Sequence, residues 1–312
     1  MTNSRSTLVL GTRGSKLALC QSEWFRSKVQ EVAPDVRVTL KRIQTSGDKI
    51  VDVPLAKIGG KGLFVKEIED ALLAGDIDFA VHSMKDVPAQ LPEGLDILCV
   101  PPREDARDAL ISREGGSFQD LPRGATVGTA SLRRQAQLLH ARPDLNITML
   151  RGNLDTRLRK LREGQFDAII LAAAGLHRLA WSENITEYLP PILSLPAIGQ
   201  GALGIEARAD DEFVRSILSR LNDEATHTTV TAERAFLHRL EGGCQVPIAA
   251  YATLCHEQLL LDGLVASVDG KTVIREQITG TRHQAYSLGV QLAEQLLSRG
   301  GDRILKEIYG SA

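Results

Sequence analysis

Twice in this chain a short apolar run ends in Gly-Thr, passes through a small residue and a serine, and enters a helix-like stretch. The two copies are TLVLGTRGSKLAL (7–19) and TVGTASLRRQAQL (126–138), and LRGNLDTRL (150–158) repeats the strand-turn-helix logic. Alternation of strand and helix predicts α/β units with largely parallel sheets, and it leaves little room for an all-helical or all-β fold. In open α/β sheets the turns at the carboxyl ends of the strands are where ligands bind. At each of these turns free backbone N–H groups and the helix dipole favour an anion. A single capping serine, such as Ser15, is ordinary helix chemistry. Three such junctions, with arginines in or just after the turn, point to a shared anion site.

The rest of the chain extends the alternation. VRVTLKRI (36–43) reads as a strand, and KEIEDALLAGDIDFAVHS (66–83) as a helix, a stop at Gly75 and a strand. PPREDARDAL (101–110) reads as a crossing between domains. A second βα series runs from about Thr126 to Leu193, and YLPPILSLPAIGQG (188–201) is a proline-rich connection, after which the chain is expected to return to the first domain. From about Val246 the pattern changes to three strand-like runs, IAAYATL, LLLDGLVAS and TVIREQITG, and then helix-like stretches at 283–299 and 302–308. That is a small α+β domain. With 312 residues, 43% hydrophobic and 24% charged, the chain has material for two or three ordinary globular domains.

Net charge is −2, so attraction for anions has to come from local patches. Seven arginines lie between 133 and 162, namely Arg133, Arg134, Arg142, Arg151, Arg157, Arg159 and Arg162, and within that stretch only Asp144 and Asp155 oppose them as carboxylates. Arg142, Arg159 and Arg162 suit a solvated face. Arg133, Arg134 and Arg157 fall in the first turns of helices, where cations oppose the dipole, and Arg151 falls in a turn. An anionic ligand explains them, and the planar fork of arginine suits a carboxylate. Nucleic acid is disfavoured as that anion, because aromatics make up 4% of the chain and no nucleic-acid motif is present.

VHSMKDVP (81–88) places Ser83, Lys85 and Asp86 at the carboxyl end of a strand, where α/β enzymes carry catalytic groups. Asp86 is the candidate acid, base or electrostatic stabiliser. The segment 45–64, TSGDKIVDVPLAKIGGKGLF, lacks P-loop spacing and reads as a long mobile loop able to close over a site with Lys57 and Lys61. EGGCQVP (241–247) sets one thiol, Cys244, in a glycine-flanked loop where packing gains little from it. The seven histidines and four cysteines show no metal-ligand spacing, so no metal is expected. The scattered cysteines fit a reducing cytoplasm, and no signal peptide or membrane span is expected.

Taken in order, GTRGSKLAL, VHSMKDVP, VGTASLRRQAQL, LRGNLDTRLRKL, LPAIGQGALGIE and EGGCQVPIAAYA resemble the porphobilinogen deaminase (hydroxymethylbilane synthase) family, over essentially the whole chain and without departure at the motif positions. The resemblance implies an α/β fold of two periplasmic-binding-protein-like domains with a central cleft and a small C-terminal α+β domain. The expected boundaries are 1–101 with 197–222, 102–196, and 223–312. It implies a dipyrromethane cofactor joined to Cys244 by a thioether, with Ser83, Lys85, Asp86, Thr129, Ser131, Arg133 and Arg134 as cofactor contacts. Arg13, Ser15, Arg151, Arg157 and Arg178 match substrate-carboxylate contacts, and Asp86 matches the catalytic carboxylate. The implied reaction joins four porphobilinogen molecules head to tail with loss of ammonia, in a monomer that needs neither nucleic acid nor membrane. The alternative is a two-lobed carboxylate binder without chemistry. Cys244 and Asp86 separate the two, since a binder needs neither a covalent anchor nor a placed acid.

Overall fold

The computed structural model describes residues 6–49, 65–241 and 246–310. Strands β1–β13 and helices α1–α10 are numbered in chain order among them. They fall into two compact units. The first takes the described residues up to Lys49, those from Val65 to Arg103, and Ala202–His227; the second takes Glu104–Gly201 and the chain from Thr228 onward.

The first unit is built on a five-stranded sheet ordered β2-β1-β3-β10-β4, from β1 (Thr7–Thr12), β2 (Arg37–Arg42), β3 (Phe79–Ser83), β4 (Leu95–Cys99) and β10 (Leu203–Arg208). Strands β2, β1 and β3 are parallel, and β10 runs antiparallel to both β3 and β4. Side chains alternate across each strand, which divides the buried residues into two layers. Leu8, Leu10, Phe79 and Val81 pack with Phe25 and Val29 of α1 (Lys16–Val32) and Val214 of α7 (Glu212–Leu218). Ala80 and Leu95 pack on the other face with Ile68 and Leu72 of α3 (Lys66–Leu73). A single turn, α2 (Ser46–Lys49), precedes α3. Gly75, at φ 74, ends that stretch of helix where the sequence places the stop.

In the second unit a sheet ordered β7-β6-β8-β5-β9 comprises β5 (Asp108–Ser112), β6 (Thr126–Gly128), β7 (Asn146–Thr148), β8 (Ala168–Ala172) and β9 (Glu187–Leu189). Strands β7, β6 and β8 are parallel, while β5 is antiparallel to β8 and β9. The expectation of largely parallel sheets therefore holds for four strands of each five-stranded sheet, and one antiparallel strand, β10 or β5, enters each. The stretch expected to be only a crossing contains a strand: Asp108 opens β5. Five residues whose buried positions face both sides carry no period-2 signature, so the run is invisible as a strand until β8 and β9 bracket it.

Helix α4 (Leu132–Ala141) covers the face of Leu110, Val127 and Ile170; α5 (Leu154–Arg162) and α6 (Ala173–Arg178) cover the face of Ala109, Ile169 and Leu171. The three strand-like runs near the C-terminus are β11 (Ile248–Cys255), β12 (Gln258–Ala266) and β13 (Val273–Thr281), and they form an antiparallel sheet in chain order. One face packs on Phe236 of α8 (Glu224–Arg239) and Leu288 and Leu292 of α9 (Ala285–Leu296). The other face places Ala249, Leu264 and Ala266 on Ala136 of α4. Gly300, at φ 105, separates α9 from α10 (Asp302–Gly310). No described helix is long and apolar enough to cross a membrane.

Candidate functional site

In the first unit the parallel neighbours β1 and β3 end side by side, so their following turns share one edge of the sheet. After β1, Ser15 caps α1: its Oγ accepts from the N–H of Ala18 at 3.3 Å. Arg13 and Ser15 are half-buried in that turn. After β3 the chain makes a single 3₁₀ turn, Met84–Asp86, whose first N–H donates to the carbonyl of Ala202 at 3.0 Å. Met84 is buried and anchors the turn, leaving Ser83, Lys85 and Asp86 half-buried around it. The amide of Gln21 on α1 donates to Ser83 Oγ at 3.2 Å. Among the described residues none hydrogen-bonds the Asp86 carboxylate.

The second unit repeats the arrangement. Strands β7, β6 and β8 are parallel, and the turns after all three lie along one sheet edge. After β6, Ser131 caps α4 by accepting from the N–H of Arg134 at 3.4 Å, and Thr129 Oγ1 accepts from the N–H of Ser131 at 3.2 Å. After β7 come half-buried Arg151 and Arg157, with Arg157 Nε donating to the Gly152 carbonyl at 2.7 Å. After β8, α6 carries Arg178, whose Nη2 donates to the Gly201 carbonyl at 2.7 Å.

Arg133 and Arg134 do have a partner that the linear reading missed. Both guanidinium groups converge on Asp108, the first residue of β5. Arg133 donates Nη1 to Oδ2 at 2.7 Å and Nη2 to Oδ1 at 3.1 Å. Arg134 donates Nε and Nη2 to Oδ1 at 3.0 and 2.8 Å. Further donors of the two arginines reach the carbonyls of Leu195 and Ile170. Ser194 Oγ and Gln200 Nε2 complete the shell around Asp108 at 2.7 and 2.9 Å. Asp108 is fully buried, and the arginines are 5% and 6% exposed. Burial alone would raise the Asp108 pKa; Arg133 and Arg134 overcome it and hold the carboxyl far below the usual carboxylate range. Asp144 and Asp155 are the only carboxylates within residues 133–162, but Arg133 and Arg134 are opposed by Asp108 from outside that stretch. Asp144 pairs with Arg142 at 2.8 Å, and the main counter-ion lies 25 residues upstream of Arg133.

A second group on α6 also escaped the sequence. His177 Nδ1 lies 3.0 Å from Glu104 Oε1 and its Nε2 lies 2.9 Å from the Tyr188 hydroxyl. Arg107 sits over the Tyr188 ring, 4.3 Å from its centre. No spacing rule joins residues 104, 177 and 188, so only the sheet brings them together. Among the described residues no group of three or more His, Cys, Asp or Glu side chains is arranged to hold a metal ion. Cys244, Lys57 and Lys61 lie outside the described residues. The chain enters the Cys244 segment from buried Leu240 and leaves it at buried Val246.

Two family profiles match the chain. One is described as the porphobilinogen deaminase dipyromethane cofactor binding domain and covers residues 8–216; the other, the porphobilinogen deaminase C-terminal domain, covers residues 227–298. The porphobilinogen deaminase of Syntrophotalea carbinolica is 58% identical over 302 residues, spanning 97% of this chain and 96% of its own. That of Geotalea uraniireducens is 57% identical over 303 residues, spanning 97% and 95%. Among solved structures, the periplasmic aliphatic sulphonate binding protein of Escherichia coli is similar at 13% identity and a TM-score of 0.41, over 76% of this chain and 71% of its own.

Proposed function

The chain belongs to the porphobilinogen deaminase family, and from that premise we propose how its own residues carry the reaction. The activity is stepwise condensation of porphobilinogen on a dipyrromethane primer, with loss of ammonia, within tetrapyrrole synthesis. In class terms this is a transferase.

The observation that carries the residue assignment is the Arg133–Arg134 pair. Among the described residues, three of the five N–H donors on each guanidinium are committed, which leaves two on each. Two buried cations face one buried anion, so the group carries one unbalanced positive charge among the described residues. That donor set fits the acetate and propionate groups of a pyrrole. Arg133 and Arg134, with Thr129 and Ser131, hold cofactor carboxylates in this reading; Ser83 and Lys85 do the same from the turn after β3. Cys244 is the covalent anchor. When bound, the dipyrromethane supplies the free pyrrole α-carbon on which the first substrate ring is added.

Loss of ammonia from the aminomethyl group of porphobilinogen needs a proton on its nitrogen and leaves a cation spread over the pyrrole. Asp86 supplies a fixed negative charge for that cation and an acceptor for pyrrole N–H. Its half-burial limits screening by water, which strengthens the attraction. Arg13, Ser15, Arg151, Arg157 and Arg178 orient the carboxylates of the incoming ring. Lys57 and Lys61 belong to a segment that shields the substrate. The protein works as a cytoplasmic monomer. A three-domain division at 1–101 with 197–222, 102–196 and 223–312 is supported by the three separate sheets. A carboxylate binder without chemistry would leave Cys244 without a role.

The test is intact mass. The purified protein is expected to exceed its sequence mass by two pyrrole units and to give a colour with acidic p-dimethylaminobenzaldehyde. A protein at sequence mass that turns over porphobilinogen would end the assignment of Cys244.

A further inference from the structure

Arginine guanidinium groups are useful to a carboxylate only when their N–H forks are held in a fixed direction. The side chain lost most of its choice here before any ligand arrives. Asp108 takes two hydrogen bonds from Arg133 and two from Arg134, and is itself fixed by Ser194 and Gln200. The accessory acceptor is fixed too: the Leu195 carbonyl takes a bond from Arg133, while the Leu195 N–H donates to Gln137 Oε1 at 2.7 Å. A pair needed only to staple α4 to β5 would reach charge balance with one arginine, since an unbalanced buried charge is unfavourable. Here one carboxylate serves two arginines, and each keeps two donors in reserve.

We infer that Asp108 is a positioning residue for the dipyrromethane carboxylates, holding Arg133 and Arg134 so that their remaining N–H groups face a ligand carboxylate that restores charge balance. This rests on the reading of Arg133 and Arg134 as cofactor contacts. Asp108 does not touch the ligand; it fixes the two groups that do. Arg133 and Arg134 together hold its carboxyl far below the usual carboxylate range, against the effect of burial.

Three variants test this: Asp108→Asn, the charge-conserving Asp108→Glu, and Phe118→Ala, which empties part of the same core without touching the arginines. Each is purified from the same host. Folding is followed by thermal melting, and cofactor loading by the fraction of molecules carrying the two-pyrrole mass increment. Folded Asp108→Asn is expected to lose loading at least tenfold, Asp108→Glu to recover part of it, and Phe118→Ala to stay loaded despite its lower Tm. Loading of Asp108→Asn at the wild-type level overturns the inference, as does loading that follows Tm alone across the three variants. If Asp108→Asn does not fold, Asp108→Glu decides: loading below that of Phe118→Ala supports the inference, and equal loading overturns it. Arg133→Leu and Arg134→Leu separate the underlying reading. Full loading in both removes the arginines as cofactor contacts; lost loading there with a loaded Asp108→Asn removes only the role of Asp108.

Discussion

Nε2 of His82 on β3 stands 2.8 Å from Oε2 of Glu206 on β10, with both side chains sealed inside the first unit at 3% and 1% exposure. Glu206 pairs in register with Ala80, so both side chains point to the face that α3 covers. There Glu69 of α3 joins them, and its Oε1 has no hydrogen-bond partner among the described residues. A buried cluster of this kind is sensitive to its protonation state.

Burial first, then Glu206 and Asp70, push the Glu69 carboxyl from 4.5 up to about 7, with His82 opposing. An acid whose folded pKa is raised stays neutral in the fold while the unfolded chain already ionises. Stability is therefore lost as pH rises from about 4.5, and the loss levels off above about 7. Glu69→Gln is expected to raise the melting temperature by a few degrees at pH 8 and to change it little at pH 4.5. Melting curves across that range check this. Equal shifts at both pH values would remove Glu69 as the titrating group.

The four cysteines are expected to differ in alkylation. Burial pushes the Cys99 thiol up to about 12, so at pH 8 it is protonated and unreactive in the native protein. Cys255 is exposed and should be labelled readily. After denaturation Cys20, Cys99 and Cys255 should all react, whereas Cys244 should stay unlabelled in a peptide heavier by two pyrrole units. Cys244→Ser should lose both the increment and turnover. Labelling of wild-type Cys244 after denaturation would sink the thioether.

Asp86→Asn is expected to fold with near-normal stability, because no described residue depends on its carboxylate. Single-turnover ammonia release should fall roughly 10²–10³-fold, the usual loss on removing one placed electrostatic group. Asp86→Glu keeps the charge but moves it, and displacement of ~1 Å alone can cost about 10²-fold. Near-normal release by loaded Asp86→Asn would take Asp86 out of the mechanism.

Arg13 and Arg151 should behave unlike Arg133 and Arg134. They are half-buried in turns, without the buried Asp108 anchor. Arg13→Leu and Arg151→Leu are expected to keep the cofactor mass and to stall elongation, seen as accumulated enzyme carrying one or more added rings. Loss of the cofactor mass in either variant would merge the two classes.

Gly201 has φ 87, and a Cβ added there would meet the Glu104 carbonyl oxygen at 2.3 Å. The Glu104 N–H already donates to the Gly201 carbonyl at 3.2 Å, so the two backbones cannot move apart freely. Gly201→Ala is expected to destabilise the protein by about 1–3 kcal/mol from backbone strain, with the contact adding to it. Denaturant unfolding measures this, and an unchanged midpoint would contradict the close approach.

Where a signal was local, the residues alone were enough. Ser15 and Ser131 cap the helices they precede, Gly75 ends its helix, and the three C-terminal strand-like runs are strands. Such signals live within one turn or one hairpin, where chain neighbours are also spatial neighbours. The junctions that carry Arg13, Asp86, Arg133 and Arg151 were legible for the same reason, because each follows directly from the strand before it, whereas Arg178 came only from the family resemblance. Tertiary structure decided what those side chains meet. Arg133 and Arg134 looked unopposed because the dipole argument sees only their own helix; β5, antiparallel to β8, brings Asp108 beneath it. His82 with Glu206, and His177 with Glu104 and Tyr188, are likewise joined only by sheet order. A buried charge is tolerable only beside its partner, and when that partner comes from a distant strand, folding alone brings the two together.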